Sequence, residues 1–185
     1  MTEIIDYKFG KKNHWRRKVW NFYKKAIPNK RDAVILYLAS DQDLDRVIAV
    51  SKGFNPNNMI AVDTNKKKVE ALRKAGKRAI HGNLIEVLCS WQGQRISIIH
   101  ADFCCAVNED VQLLTEWLAS NSIHGSISML DNHYAFCINV QRGREGEYGK
   151  GILKGFEPVR ELQRIPKTDK RRTHILFSLF CRMYY

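Results

Sequence analysis

One stretch decides the fold of this chain: Asn58-Met-Ile-Ala-Val-Asp-Thr-Asn-Lys-Lys-Lys-Val-Glu-Ala-Leu-Arg-Lys-Ala-Gly-Lys-Arg-Ala-Ile-His-Gly-Asn83. It opens on the apolar run Met59–Val62, passes through an amphipathic segment that stops at Gly76, and closes on the short run Arg78–His81. Apolar runs of this length are typical of strands in a parallel sheet, and the segment between them has helical spacing. The stretch therefore predicts a βαβ unit with its helix over Asn65–Ala75.

The same alternation continues on both sides of this unit. Upstream, Ala33–Ala39 is a continuous apolar run, and Gln42–Gly53 follows as a helix with Leu44, Val47 and Ile48 as its apolar residues. Downstream we predict helices over Leu84–Trp91 and Glu109–Ala119 and strands over Ile96–His100, Ile127–Leu130 and Ala135–Val140. The apolar end, Thr173–Tyr185, predicts an antiparallel edge strand. The expected fold is α/β, a Rossmann-like three-layer sandwich around a mostly parallel sheet.

Charge is concentrated at the two ends of the chain. The 185 residues carry a net charge of +12, of which residues 1–32 hold +7, residues 142–185 hold +6 and residues 33–141 hold −1. We divide the single domain accordingly into a basic amphipathic N-terminal helix segment (1–32), a Rossmann-like core (33–140) and a basic loop, helix and edge strand (141–185). Basic extensions on a nearly neutral core indicate a partner with phosphates, DNA or RNA, although a merely basic soluble surface is the alternative.

The N-terminal segment has two distinct faces. Trp15, Val19, Phe22 and Tyr23 have helical spacing, so we predict a helix over Asn13–Ala26 whose aromatic stripe docks on the core. The opposite, basic face is free to contact phosphates. Near the other end, two arginines stand among glycines in a segment that is either a phosphate-binding loop or a solvated turn. The candidate nucleic-acid contacts are Lys11, Lys12, Arg16, Arg17, Lys18, Arg142, Arg144, Arg171 and Arg172.

Several protein classes are disfavoured by the composition. The five cysteines are odd in number and lack zinc-site spacing, which favours a reduced, cytoplasmic setting without a bound metal. The sequence has neither a secretory signal pattern nor an apolar run long enough to cross a bilayer, so we expect no membrane partner. The C-terminal edge strand could pair with a second copy, which leaves a homo-oligomer open.

Ligands of open α/β sheets bind outside the carboxyl ends of the strands. The sharpest candidate there is Asp63, because a carboxylate just past a buried strand can accept two hydrogen bonds from the vicinal hydroxyls of a ribose. The alternative is that Asp63 caps the helix that follows it. The candidate cofactor-binding residues are Ala39, Ser40, Asp41, Asp63, Thr64, Asn83 and Leu84.

A family resemblance rests on these residues. The stretch quoted above, together with His100-Ala-Asp-Phe-Cys-Cys105, resembles the second, third and fourth motifs of class I S-adenosylmethionine-dependent methyltransferases, over about residues 33–140. The resemblance implies S-adenosylmethionine as cofactor, with Asp63 on its ribose and Asn83 facing its adenine. It also implies that Asp102, with Phe103 beside it, faces the transferred methyl group as the catalytic pair.

The first motif departs from the family. The family has a glycine-rich turn there, whereas Leu38–Asp45 contains no glycine and carries Asp41, Asp43 and Asp45. Small methyltransferase-like proteins of phages and mobile elements have similarly eroded first motifs, and this chain resembles those. The acids would repel a methionine carboxylate or attract the cofactor's cationic groups. They could instead hold Mg²⁺ with Asp63, or one of them could cap the following helix.

Three functions remain open from the sequence. The first is a methyltransferase that acts on or binds nucleic acid, with the cofactor over Asp63 and Asn83. The second is a catalytically inactive module of the same fold that binds nucleic acid or a protein partner. The third is an enzyme with other chemistry on the cofactor or on phosphates. Cys104 and Cys105 could supply a nucleophilic thiolate, although free cysteines are more often packed side chains.

Overall fold

The computed structural model of the protein describes residues 14, 16–40, 42–103, 109–123, 129–141 and 174–177. Its elements are α1 (16–26), β1 (Val34–Leu38), α2 (Leu44–Ser51), β2 (Met59–Asp63), α3 (Lys66–Lys74), β3 (Arg78–His81), α4 (Leu84–Cys89), β4 (Ile96–Asp102), α5 (Glu109–Ile123), β5 (Leu130–Gln141) and β6 (His174–Phe177). The sheet has the order β3-β2-β1-β4-β5-β6. Strands β1 to β5 are parallel, and β6 is antiparallel to β5.

The sheet separates two helical layers. On β1, Ile35 and Tyr37 point to one face, and Val34 and Leu36 point to the other. The first layer, on the Tyr37 face, consists of α1, α2 and α3, and the second layer consists of α4 and α5. Because both faces of the strands are covered, the central strands are predominantly apolar, which is why their sequence shows nearly continuous apolar runs. The predicted α/β three-layer fold and its antiparallel edge strand are confirmed.

Helix α1 is anchored by aromatic side chains. Trp20 and Tyr23 are fully buried, and their rings meet edge to face with centroids 5.1 Å apart. Trp20 also packs against Phe54, with centroids 5.7 Å apart. The predicted stripe held Val19 and Tyr23, which are buried, but it omitted Trp20, and Phe22 is only partly buried. The inward face is therefore rotated slightly from the one that the aromatic spacing indicated.

Two other elements differ from their predictions. The sequence prediction grouped Val47 with Leu44 and Ile48 as the apolar residues of α2, but Val47 is 63% exposed, and the helix buries Asp45 and Ala49 instead. Strands were predicted over Ile127–Leu130 and Ala135–Val140, but Leu130 and Ala135–Val140 belong to one strand, β5, and residues 127 and 128 lie outside the described residues. The register of β5 against β4 is irregular: Ile96 pairs with Leu130, and Ile98 with Ala135. At this irregularity β5 has more residues than the β4 segment it faces. In the sequence these extra residues resemble a loop, which is why two strands were predicted.

The basic segment between β5 and β6 and residues 1–13 lie outside the described residues, so the predictions for them stay predictions. The predicted stops of α2 and α3 agree with the structure, where Gly53 and Gly76 follow the two helices with φ of 93° and 72°. Such values favour glycine, which has no Cβ to clash. Within the described part of the chain, no helix combines the length and apolar character needed to cross a membrane.

We expect Trp20→Ala to lower the free energy of unfolding by about 3–5 kcal/mol, since the substitution leaves a cavity under α1. Val47→Ala is the matched control, because this exposed side chain should cost less than about 0.5 kcal/mol. Urea denaturation followed by circular dichroism measures both values. Equal effects of the two substitutions would contradict the anchoring of α1 through Trp20.

Candidate functional site

The strand order reverses between β1 and β4. From β1 the chain runs outward to β2 and β3, and it then returns to β4 on the other side of β1. In open α/β sheets, ligands bind at such a reversal, outside the carboxyl ends of the strands. Those ends carry Ala39 and Ser40 after β1, Asp63 on β2 and Asp102 on β4. The structure therefore brings the predicted cofactor-binding and catalytic acids to one edge of the sheet.

Asp63 is engaged by its own chain at this edge. Its Oδ1 accepts the backbone N–H of Asn65 at 2.8 Å, and its Oδ2 pairs with Lys68 Nζ at 2.8 Å. The Lys68 ammonium also donates to the carbonyl oxygen of Ala39 at 2.6 Å, so it bridges the ends of β1 and β2. The N-cap of α3 is Asn65, whose side chain accepts from the N–H of Lys68 at 3.3 Å. A ribose diol at Asp63 would therefore have to replace the lysine at Oδ2.

The candidate residues at the other strand ends have structural partners. Asn83 forms a capping box with Glu86 at the start of α4, and its amide donates to Asp110 at 2.8 Å. Leu84 is buried in the core under the second layer. Thr64 is exposed, and its carbonyl oxygen lies 3.0 Å from His81 Nε2.

The turn after β1 contains a left-handed residue although it has no glycine. Asp43 has φ of 50° and stands at the N-cap of α2, but its side chain makes no capping bond. Instead the carboxylate accepts the Tyr37 hydroxyl at 2.8 Å and pairs with Lys77 at 2.7 Å. Burial and the neighbouring Asp43 raise the pKa of Tyr37 well above its ordinary value. Beside this turn, the Ser40 hydroxyl has no hydrogen-bond partner among the described residues, to which Asp41 does not belong.

A buried ion cluster fills the reversal between β1 and β4. We call Arg16, Asp45, His100 and Asp102 the Asp45 cluster. Asp45 is 1% exposed, and its Oδ2 pairs with Arg16 Nε at 3.0 Å. Its Oδ1 accepts the indole N–H of Trp20 at 3.0 Å and lies 3.2 Å from His100 Nε2, a close ion contact without the alignment of a hydrogen bond. Arg16 extends the cluster to Asp102, at 3.5 Å.

The charges of this cluster cancel. Burial disfavours ionised Asp45, but His100 and Arg16 outweigh burial and hold its pKa well below the ordinary value. Burial likewise opposes protonation of His100, yet the Asp45 carboxylate raises the pKa of that imidazole to about 10. At neutral pH two cations therefore face two carboxylates. The second ring nitrogen of His100, Nδ1, lies 3.2 Å from the Tyr23 hydroxyl.

Some of the predicted site residues belong to the Asp45 cluster or lie beside it, and others are exposed or outside the described residues. The side chain of Asp102 is 9% exposed and pairs with Arg16. Phe103 packs against the core under the second layer. Arg16, predicted as a nucleic-acid contact, is 6% exposed and directed at the two carboxylates. Arg17 and Lys18 are exposed on α1. The candidate contacts that lie outside the described residues are Lys11, Lys12, Arg142, Arg144, Arg171 and Arg172.

Sequence reasoning missed Lys68 and the pairing within the cluster. Arg16 stands three residues before Val19 and Trp20 three residues before Tyr23, so helical spacing alone extends the buried stripe to them. The signal for His100 is its place at the end of the apolar run of β4. Lys68 gives no comparable signal, because it is one of three consecutive lysines.

The acids after β1 are compensated by cations of the protein. Asp43 holds Lys77, and Asp45 holds Arg16 and His100, so the two carboxylates serve separate partners. No three His, Cys, Asp or Glu side chains gather at one point in the part of the chain that the structure describes. The geometry of these acids is that of ion pairs inside the protein.

Comparison with known proteins connects this fold to methyltransferases. No protein-family model matches the chain, and no curated protein sequence does. A provisionally assigned methylase from Haemophilus influenzae matches with a TM-score of 0.56 and 12% identity, covering 90% of this chain and 96% of that one. A provisionally assigned methyltransferase from Escherichia coli matches with 0.53 and 15%, covering 88% and 82%. At these identities the likeness shows the fold alone, which this chain shares with these methyltransferase structures.

A third match was solved with a bound ligand. TrmK of M. capricolum, in complex with the cofactor product S-adenosylhomocysteine, has a TM-score of 0.50 and 14% identity. The match covers 85% of this chain and 65% of TrmK. The fold of the chain is thus one on which this cofactor product binds in a solved structure.

The Asp45 cluster predicts a dependence of stability on pH. Because the pKa of His100 is raised from an ordinary 6.5 to about 10, its contribution is complete below pH 6.5 and is lost as the pH rises toward 10. We expect the free energy of unfolding to fall between pH 7 and about pH 9.5 in the wild type. The fall should be much smaller in His100→Asn, and it should persist in His81→Asn, whose imidazole is exposed. Denaturant titrations across this range that give parallel curves for wild type and His100→Asn would contradict the ion pair.

Proposed function

We propose that this chain is an S-adenosylmethionine-dependent methyltransferase-like protein that acts on or binds nucleic acid. One observation carries the proposal: in a sheet of the methyltransferase fold, Asp63 ends β2 and Asp102 ends β4, on either side of β1. These are the two acids that the family resemblance assigns to the ribose and to the methyl group. Their occurrence at one edge of the sheet supports a cofactor that lies across the end of β1.

Asp63 would bind the cofactor ribose. Its side chain is 17% exposed, and its partner Lys68 is 24% exposed, so the ammonium can turn toward solvent when a diol takes its place at Oδ2. The methionine part would run along Ala39, Ser40 and Asp41, and the adenosine would extend past Thr64 to Asn83 and Leu84. Displacement of Lys68 costs the cofactor part of its binding free energy, because an ion pair is broken.

Asp102 would act at the methyl group. Methyl transfer needs a nucleophile in line with the sulfonium, and a carboxylate beside it can orient that nucleophile or accept its proton. Phe103 follows directly and offers an aromatic face beside the substrate. Arg16 would position the Asp102 carboxylate, since it lies 3.5 Å from it and is itself fixed by Asp45.

Nucleic acid is the proposed partner because of the basic ends of the chain. Arg17 and Lys18 are exposed on α1, and they belong to an N-terminal segment with a net charge of +7. Such charge attracts any phosphate backbone through counterion release. The resemblance to phage and mobile-element proteins and a cytoplasmic location remain predictions from the sequence.

One observation favours the second function, an inactive module of this fold that binds nucleic acid or a protein. The four charged groups of the Asp45 cluster neutralise one another, and Lys68 occupies Asp63. A crevice whose polar groups are already paired offers fewer of them to a cofactor. The basic ends would keep their role in this case.

Calorimetric titration with S-adenosylhomocysteine tests the cofactor site. We expect saturable binding that weakens at least about tenfold in Asp63→Asn, because the variant loses a charge-assisted hydrogen bond to the ribose. Glu70→Gln, an exposed acid of α3, is the matched control and should bind like the wild type. Lys68→Met should bind more tightly, because no ammonium competes for Asp63. Absence of heat at millimolar ligand with both wild type and Lys68→Met would remove the cofactor from the proposal.

Transfer of a labelled methyl group separates the enzyme from the inactive module. With labelled S-adenosylmethionine and pools of DNA or RNA, we expect label in the nucleic acid and a loss of about 10²-fold or more in Asp102→Asn. Asp32→Asn, an exposed acid remote from the strand ends, should retain full transfer. Nucleic-acid binding without any transfer by the wild type would instead identify the inactive module.

A further inference from the structure

The two helical layers carry opposite charge. In the second layer, α4 and α5 contain no lysine or arginine, and their acids are Glu86, Glu109, Asp110 and Glu116. In the first layer, the exposed cations of α1 and α3 are Arg17, Lys18, Lys24, Lys25, Lys66, Lys67, Arg73 and Lys74. Among the described helices, the exposed lysines and arginines of α1 and α3 therefore lie on one side of the sheet, and the helices on the other side carry acids without basic side chains.

The cations of α1 form one stripe. Arg17, Lys18, Lys24 and Lys25 stand at positions i, i+1, i+7 and i+8, which share a helix face. That face is opposite to the buried side chains Trp20 and Tyr23, so packing on the sheet turns the stripe outward.

The cations of α3 continue this surface. Lys66 and Lys67 occupy the first turn, where the helix dipole adds positive potential, and both are exposed. Lys68 is turned inward to Asp63, and Arg73 and Lys74 lie in the last turn. The single acid of this helix is Glu70. The net charge of α3 is therefore strongly positive.

Helix α2 lies between the two basic helices. Arg16 of α1 reaches Asp45 in the first turn of α2, and Lys77, just after α3, reaches Asp43 at its N-cap. The one acid of α2, Asp45, is buried, and the outward side chains of this helix include Val47. No carboxylate of α2 therefore interrupts the basic surface.

We propose that the first layer binds the sugar-phosphate backbone of nucleic acid through two pairs of cations, Arg17 with Lys18 and Lys66 with Lys67. The start of α1 lies at Asp102, which Arg16 contacts, and the start of α3 follows directly from Asp63. The two pairs thus flank the candidate site at the carboxyl edge of the sheet. This inference rests on the proposed nucleic-acid partner and adds the surface that holds it.

The chemistry of the surface fits phosphodiesters better than a lipid bilayer. Helices that lie on membranes turn large apolar side chains outward. Here Trp20 and Tyr23 of α1 are buried, and among the described residues the exposed large apolar groups of this layer are the short side chains Val47 and Val50. The acidic second layer would be repelled by phosphates, so within the described part of the chain the first layer is the face that suits the backbone.

Binding measured against salt tests the proposal. We would follow fluorescence anisotropy of labelled single-stranded DNA, duplex DNA and single-stranded RNA, using the full chain. Lys66→Gln/Lys67→Gln should make the log–log salt dependence shallower by about 1.4–1.8, the value for two lost phosphate contacts. Lys66→Arg/Lys67→Arg should restore it. The matched control is Gln92→Glu/Gln94→Glu, which changes net charge equally in the exposed loop between α4 and β4 and should leave the slope unchanged.

The outcomes separate this surface from the proposed function. If the wild type binds no nucleic acid, the proposed partner itself falls. If it binds, and the lysine variant behaves like the wild type or loses no more than the glutamate control, the surface is overturned while the partner stands. Loss of binding to phosphatidylserine vesicles in the lysine variant, with nucleic-acid binding intact, would assign the surface to a membrane instead.

Discussion

The structure depends on the compensation of one buried carboxylate. Asp45 is 1% exposed, and removing a partner from such a charge typically costs several kcal/mol. Its partners come from α1 and from β4, so the requirement to neutralise it ties three elements that are distant in sequence. Packing of Trp20 and Tyr23 follows from this arrangement. Because these contacts fix the orientation of α1 on the sheet, its cationic stripe faces solvent.

Most of the fold follows from the sequence because the central strands are buried on both faces. Their apolar runs give β1 to β4 nearly residue by residue. The orientation of α2 does not follow, since a pattern of apolar residues cannot reveal that Asp45 is the inward group. The sequence also does not predict that β5 is a single strand, because its irregular register depends on pairing with β4. At the site, parallel strands bring Asp63 and Asp102 to one edge, but the sequence gives no sign of the role of Lys68 or of the pairing between Arg16 and Asp45, which are 29 residues apart.

The contacts that stabilise the carboxyl edge of the sheet are also competitors for a ligand. Lys68 satisfies Asp63 and the carbonyl of Ala39, and Arg16 satisfies Asp45 and Asp102. A ligand that used the same carboxylates would replace their present ion pairs with contacts to itself. Its binding free energy is therefore the difference between the free energy of the new contacts and that of the ion pairs it breaks. Stability and ligand affinity are therefore coupled at this edge through the same few side chains.

Asp43 has a left-handed backbone conformation in the turn after β1, the turn in which the resembled family has glycines and this chain has none. The backbone at this residue already has the geometry that glycine adopts without strain, with φ of 50°. Aspartate and glycine codons differ by a single base, so one transition could interconvert the two residues without rerouting the main chain. A glycine here would leave the Tyr37 hydroxyl and the Lys77 ammonium without their shared acceptor. The carboxylate is thus part of the packing, so a change to glycine would cost these two contacts even though the codons differ by only one base.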